Sequence, residues 1–193
     1  KQWTDALEDL ESRGVGAYMF RPFVEMNSKT FFGYSEEGKQ SFKNVWKQLY
    51  DYIFKVRKLN GCLLVFAPAD YNYLIKSAEL YYPGDEYVDI LALTVYTNYE
   101  GEFQKANESN YIWMKEIDKP IGFSEFSVRT GDWRVAKQAP VGDWETALHI
   151  LLEEYPDVSW VNTWSDDAYS LFPVDMYGFG NKNGQIFLSS PYA

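Results

Sequence analysis

Two stretches of this chain, Cys62-Leu-Leu-Val-Phe-Ala67 and Val88-Asp-Ile-Leu-Ala-Leu-Thr-Val-Tyr96, are apolar almost without a break. A strand with one wet face alternates polar and apolar residues. An unbroken run of strand length is apolar on both faces and has to be covered on both. Three more strand candidates, less continuously apolar, occur at Ala17–Val24 (leading into Glu25-Met26-Asn27), Ile121–Phe126 and Val158–Trp164. The segments between them carry helical spacing instead. Residues 3–12 place Trp3, Ala6, Leu7 and Leu10 on one face. A long helix over about 38–59 has Phe42, Val45, Trp46, Leu49, Tyr52, Ile53 and Val56 as its stripe, with Asn60-Gly61 as its stop. A helix is expected near 102–117, and another capped by Asp143 with Trp144, Ala147, Leu148, Leu151 and Leu152 inward. The tail 165–193 reads as irregular, with a turn at Asn183-Gly184. Doubly buried strands alternating with helices predict a parallel sheet covered by helices, in one domain spanning 1–193.

Composition narrows the function. The formal net charge is −10, from 28 acids against 18 bases. That excludes a nucleic-acid binder working through clustered Lys and Arg. No apolar run approaches the ~18 residues of a membrane span. The single cysteine, Cys62, excludes an internal disulfide, and with His149 the only histidine a zinc site of ordinary composition is not expected. Both read as structural, and neither a metal nor a cofactor is expected. Aromatic residues make up 19% of the chain. Part of that is core; flat rings also suit the C–H faces of sugars.

Polar and acidic residues recur where the strands end: Glu25 and Asn27, Asp70, Thr94 and Tyr96, Glu125, Trp164 and Asp166. Both a (β/α)8 barrel and a doubly wound sheet build their sites at that edge. There is no glycine-rich phosphate loop of either common pattern, which disfavours a phosphate-ligand enzyme. Glu25 and Glu125 stand out because their neighbours are apolar and aromatic. Such a pair can serve as acid/base and nucleophile, at ~5–5.5 Å in a retaining glycosidase. Equally, either glutamate could pair with Arg21 or Arg129.

The segment Arg21-Pro-Phe-Val-Glu-Met-Asn27 resembles the acid/base motif R-P-F-H-E-M-N-G of glycoside hydrolase family 26, the β-mannanase family. Phe31-Phe-Gly-Tyr34 stands in place of its aromatic loop. Residues 42–60 are similar to its helix F-K-x-L-W-R-x-x-Y-D-Y-L-x-x-V-K-x-L-N. Tyr81-Tyr-Pro-Gly-Asp-Glu-Tyr-Val-Asp-Ile90 is nearly its Y-Y-P-G-D-x-Y-V-D-I, and Lys119-Pro-Ile-Gly-Phe-Ser-Glu125 resembles its nucleophile strand. The likeness runs over roughly residues 1–166, in family order.

The resemblance implies a (β/α)8 barrel of clan A and a retaining endo-β-glycanase acting on β-1,4-mannan-type polysaccharide, secreted or at the cell surface. It implies Glu25 as acid/base at the end of barrel strand 4 and Glu125 as nucleophile at the end of strand 7. Tyr96 would bond the nucleophile, and Trp164 would floor the sugar. Phe31, Phe32 and Tyr34 would line leaving-group subsites, and Asn27 and Arg21 belong to the same substrate site. Read from the residues alone, Tyr96 or Trp164 could instead be core, and Phe31 and Phe32 could pack beneath their loop.

This chain departs from the family pattern at several points. Val24 stands where the family has a histidine able to hydrogen-bond the sugar, Ser28 replaces a glycine, phenylalanines replace tryptophans, and Thr94 stands where aspartate is common. The alternatives are a glycanase for another β-glycan, or a degenerate or non-catalytic sugar-binding protein on this fold. The match begins just before barrel strand 4. At about 31 residues per βα unit, this chain holds strands 4–8, and strands 1–3 are expected from an upstream segment or a second chain.

Overall fold

The computed structural model describes residues 2–28, 32, 35–70, 77–96, 109–127 and 144–163. Helix α1 (Gln2–Ser12) leads into β1 (Tyr18–Phe20). Then come α2 (Glu36–Asp51), β2 (Cys62–Phe66), β3 (Ile90–Tyr96), α3 (Asn110–Met114), β4 (Ile121–Ser127), α4 (Trp144–Glu154) and β5 (Val158–Thr163). The strands form one sheet in the order β1-β2-β3-β4-β5, every pair parallel. The sheet curls into a half-barrel, with helices on its convex side and the inner side facing the axis.

The unbroken apolar runs divide between those two sides as expected. Tyr18, Phe20, Cys62, Leu64, Phe66, Leu91, Leu93, Val95, Ile121, Phe123 and Phe126 turn outward into the helix layer. There α2 supplies Phe42 and Trp46, both fully buried. Their rings interlock with Phe66 at 5.8–6.2 Å, and the Trp46 indole donates to the Tyr87 carbonyl at 2.8 Å. Inward face Val65, Ala67, Ile90 and Ala92, with Trp160 of β5 packed against them. Towards the open side this inner layer thins out: Met19 is 53% exposed and Leu63 38%.

Trp160 fits because Gly122 lies opposite it in register. A methyl group at Gly122 would sit 2.0 Å from the indole Cε2. Gly122→Ala is therefore expected to push Trp160 off the inner layer and cost about 1–3 kcal/mol. A double variant with Trp160→Ala should show most of that clash gone, which a double-mutant cycle of melting curves measures.

The sequence expectations need adjusting in places. The first strand pairs only over Tyr18–Phe20, with an isolated bridge at Val24–Ala67 beyond. Pro22 has no N–H to give to a ladder, and the chain leaves the sheet there. The third strand begins at Ile90 and not at Val88. The long helix starts at Ser35, whose hydroxyl accepts from the Gly38 N–H. It changes to a π turn over Tyr52–Val56 and stops at Arg57, before Asn60-Gly61. Lys58 makes the left-handed step, at φ 57°. Gly61 serves a different need: a Cβ there would lie 2.8 Å from the Gly16 carbonyl, and the Gly61 carbonyl accepts the first bond from β1, Tyr18 N–H, at 2.9 Å. Of the helix expected at 102–117, Asn110–Met114 is seen and 97–108 lie outside the described residues. Asp143 and the tail 164–193 also lie outside them.

Candidate active site

The C-terminal ends of β1, β3 and β4 converge on the carboxylate of Glu125. Arg21, just past β1, donates from Nη2 to Oε1 at 2.7 Å, and Tyr96, the last residue of β3, donates its hydroxyl to Oε2 at 2.7 Å. Side chains of a flat sheet stand perpendicular to it, and β1 and β4 are three strand spacings, ~14 Å, apart. The Arg21–Glu125 bond closes that gap only because the sheet curls. Glu125 is 8% exposed, so both acceptor oxygens are committed in a site largely shielded from water. Charge-assisted bonds of this length fix orientation as well as position. Of the two arginines considered as partners for the glutamates, Arg21 is the one found on Glu125; Arg129 lies outside the described residues.

Glu25 follows Val24, whose bridge to Ala67 docks the segment beside β2. Its own N–H donates to the Ala67 carbonyl at 2.9 Å, and its carbonyl accepts from the Ser28 N–H at 2.9 Å. The backbone at Glu25 is left-handed, φ 50°, a conformation that costs a non-glycine residue about 1–2 kcal/mol. Asn27 helps hold it. Asn27 is fully buried; its Nδ2 donates to the Ala69 carbonyl at 2.9 Å and its Oδ1 accepts from the Ala69 N–H at 2.8 Å. Its amide thus clamps the turn after Glu25 to the backbone at Ala69.

Phe32 packs edge-on against Phe42 at 5.0 Å and Phe23 at 6.0 Å, as part of the aromatic layer under its loop. Phe31, Tyr34 and Trp164 lie outside the described residues. Thr94, in register with Glu125, is fully buried. Among the described residues its Oγ1, like Arg21 Nη1, has no hydrogen-bond partner. Also among the described residues, no cluster of three or more His, Cys, Asp or Glu could hold a metal ion, and no helix is long and apolar enough to cross a membrane. A groove of about 600 Å³ lined by residues 115–121, Asp157 and Ser159 lies at the opposite end of β4 and β5 from Glu125.

Asp70, which the strand-end pattern singled out without a role, anchors the next unit. Its carboxylate accepts from the Asn110 N–H and from Asn110 Nδ2 at 3.0–3.3 Å, so it ties the end of β2 to the start of α3. Burial pushes its pKa up from 3.8 to about 6, against the opposing pull of the Asn110 and Ser109 hydrogen bonds. A carboxyl whose folded pKa lies above its unfolded value stabilises the fold fully below the unfolded pKa. That contribution is lost as pH rises through the folded one. Between about pH 4 and 6 this carboxyl should therefore remove on the order of 2–3 kcal/mol of stability. The gap between wild type and Asp70→Asn in urea melts should narrow or reverse across that window; a constant gap would contradict it.

Comparison with known proteins bears on the family and the fold. The model of glycosyl hydrolase family 26 matches residues 1–136. A mannan endo-1,4-beta-mannosidase of Bacillus subtilis is 29% identical over 171 residues, which is 84% of this chain and 42% of that protein. The mannan endo-1,4-beta-mannosidase A and B of Caldalkalibacillus mannanilyticus is 29% identical over 169 residues, 84% of this chain and 30% of that protein. The solved structure of a Bacillus subtilis mannanase superposes with a TM-score of 0.75 at 22% identity, covering 99% of this chain and 52% of that one. A β-mannanase from a symbiotic protist of the termite Reticulitermes speratus, solved with a gluco-manno-oligosaccharide, gives 0.65 at 22% identity over 98% of this chain and 50% of that one. The chain thus spans less than half of these curated relatives and about half of these solved barrels. Its five strands are a partial (β/α)8 barrel, and the chain belongs to glycosyl hydrolase family 26.

Proposed function

We propose that this chain forms the catalytic half of a retaining β-glycanase acting on β-1,4-mannan-type polysaccharide, completed by a segment that supplies barrel strands 1–3. The observation that carries the reading is the Arg21–Glu125–Tyr96 hydrogen-bond set, at the sheet edge that also carries Glu25, in a chain of this family.

Glu125 acts as nucleophile: its carboxylate oxygen forms a bond to the anomeric carbon as the glycosidic C–O bond breaks. Glu25 gives its proton to the departing oxygen. Water then attacks the glycosyl-enzyme, Glu25 takes a proton from that water, and Glu125 leaves with its electron pair, so the anomeric configuration is retained. Arg21 and Tyr96 hold the nucleophile without reacting. Trp164, Phe31 and Tyr34 are assigned to sugar subsites. A polysaccharide substrate places the enzyme outside the cell or at its surface. No cofactor enters the scheme.

The test is the anomer first released from mannan, followed by NMR, together with Val24→His on a panel of mannan, glucomannan, lichenan and xylan. Retained configuration with mannan preferred supports the reading, and Val24→His should then raise mannan turnover, since hydrogen bonds near the cleaved bond supply several kcal/mol in such enzymes. Preferred hydrolysis of another glycan, with Val24→His giving no gain on it, moves the assignment to a different β-glycan, and binding without hydrolysis moves it to a binding protein.

A further inference from the structure

Strand β4 is one residue longer than either neighbour across the stretch that delivers Glu125. Against β3, Leu93 pairs with Phe123 and Thr94 with Glu125, which leaves Ser124 without an opposite residue. Against β5, Phe123 pairs with Val161 and Phe126 with Thr163, three steps on β4 to two on β5. The extra residue reverses the alternation. Regular continuation from Phe123 would turn Glu125 into the helix layer and Phe126 towards the axis. Instead Phe123 and Phe126 lie on the same side, with rings stacked at 5.4 Å and 22°. Phe126 is buried there, and Glu125 reaches inward to Arg21 and Tyr96.

Ser124 is tied down from both sides. Its hydroxyl donates to the Leu93 carbonyl of β3 at 3.1 Å, and its carbonyl accepts from Asn162 Nδ2 of β5 at 3.2 Å. Two side-chain bonds thus serve the one residue that the ladder leaves unmatched. Bulges beside active sites re-aim the side chain that follows them.

We propose that Ser124 and Asn162 are positioning residues: through the bulge at Ser124 they set the angle at which Glu125 enters the cleft. The inference rests on the reading of Glu125 as nucleophile. Burial of Phe123 and Phe126, and the cost of turning Glu125 into the helix layer, suffice to keep the bulge. The two side-chain bonds refine its geometry. A reacting atom has to lie ~3–3.5 Å from its target and in line, and a displacement of ~1 Å costs about 10²-fold.

The test compares Ser124→Ala, Asn162→Ala, the double variant and Ser124→Thr in the protein with its barrel complete. Each single alanine variant should lower kcat about 10-fold and the double variant about 10²-fold, with KM within about threefold. Ser124→Thr keeps the hydroxyl and should stay within about threefold of wild type. Ring-to-ring NOEs between Phe123 and Phe126 should persist in all four. An unchanged kcat in the double variant, a loss confined to KM, or an equal loss in Ser124→Thr would overturn the positioning role. If the wild-type protein hydrolyses no glycan, the nucleophile reading is what fails. Positioning is then decided by the Tyr96 hydroxyl proton, which exchanges slowly while it donates to Glu125. Its resonance should be lost in the double variant, and its persistence there would overturn the role.

Discussion

Glu125→Ala is expected to abolish hydrolysis, leaving less than about 10⁻⁴ of wild-type turnover, because it removes the carboxylate assigned to form the glycosyl-enzyme bond. Glu25→Ala should behave differently. Loss of the general acid costs about 10²–10⁴-fold on a natural glycoside and far less on an aryl glycoside whose leaving group departs unprotonated. Release of that leaving group should then appear as a burst, since the second step still lacks its base. Parallel assays on manno-oligosaccharides and on a dinitrophenyl glycoside separate the two roles. Equal losses on both substrates for Glu25→Ala would remove it from the acid/base position. Glu125→Gln is the companion variant, because alanine also strips Arg21 of its ion partner. With the Arg21 side chain 26% exposed, that loss should stay near 1–2 kcal/mol, so activity falls far more than stability.

The second large effect concerns the open side of the sheet. Five parallel strands do not close a barrel, since strand number, tilt and stagger are linked. Among the described residues β1 and β5 each have one edge without a paired strand, and Met19 and Leu63 are exposed on the inner face. Residues 1–193 by themselves are expected to self-associate and to melt broadly, as open edges and exposed barrel layers promote. They should show little or no hydrolysis. Supplying a family segment that carries the first three strands, fused or as a separate chain, should give a monodisperse particle, a sharp transition and activity. Light scattering, calorimetry and a reducing-sugar assay on the two samples decide it. A soluble, sharply melting monomer that cleaves mannan alone would refute it.

Much of this arrangement could be read from residue order because it depends on burial, and burial leaves a pattern. Cys62–Ala67 and Val88–Tyr96 announce doubly covered strands, and the Phe42–Trp46–Leu49 stripe announces the helix over them. What escaped depends on backbone details that hydrophobicity does not encode. Pro22 interrupts β1 inside an apolar run. Lys58, not a glycine, makes the left-handed step that ends the second helix. The bulge at Ser124 left one trace, the three-residue interval from Phe123 to Phe126 where alternation calls for two, and Glu125 was picked out by its apolar neighbours without it. The sequence assigns Asn27 to the substrate site; the structure adds that its amide also bonds the Ala69 backbone. Asp70 was noticed as a strand-end acid, but its tie to Asn110, forty residues on, leaves no pattern in the sequence.

The strict order β1-β2-β3-β4-β5 has a consequence for how the molecule assembles. Every strand neighbours the one immediately before and after it in the chain. The loop to be closed at each step is therefore a single βα unit, whatever the total length, and closure entropy grows only slowly with that length. Growth can start wherever two adjacent units first dock and spread both ways, as in a linear repeat array. The inner strand β3, flanked on both sides and buried along nearly its whole length, should protect its amides earliest in pulse-labelled hydrogen exchange. β1 should follow late and fray first, since its ladder is only three residues long and lies at the end of the sheet order.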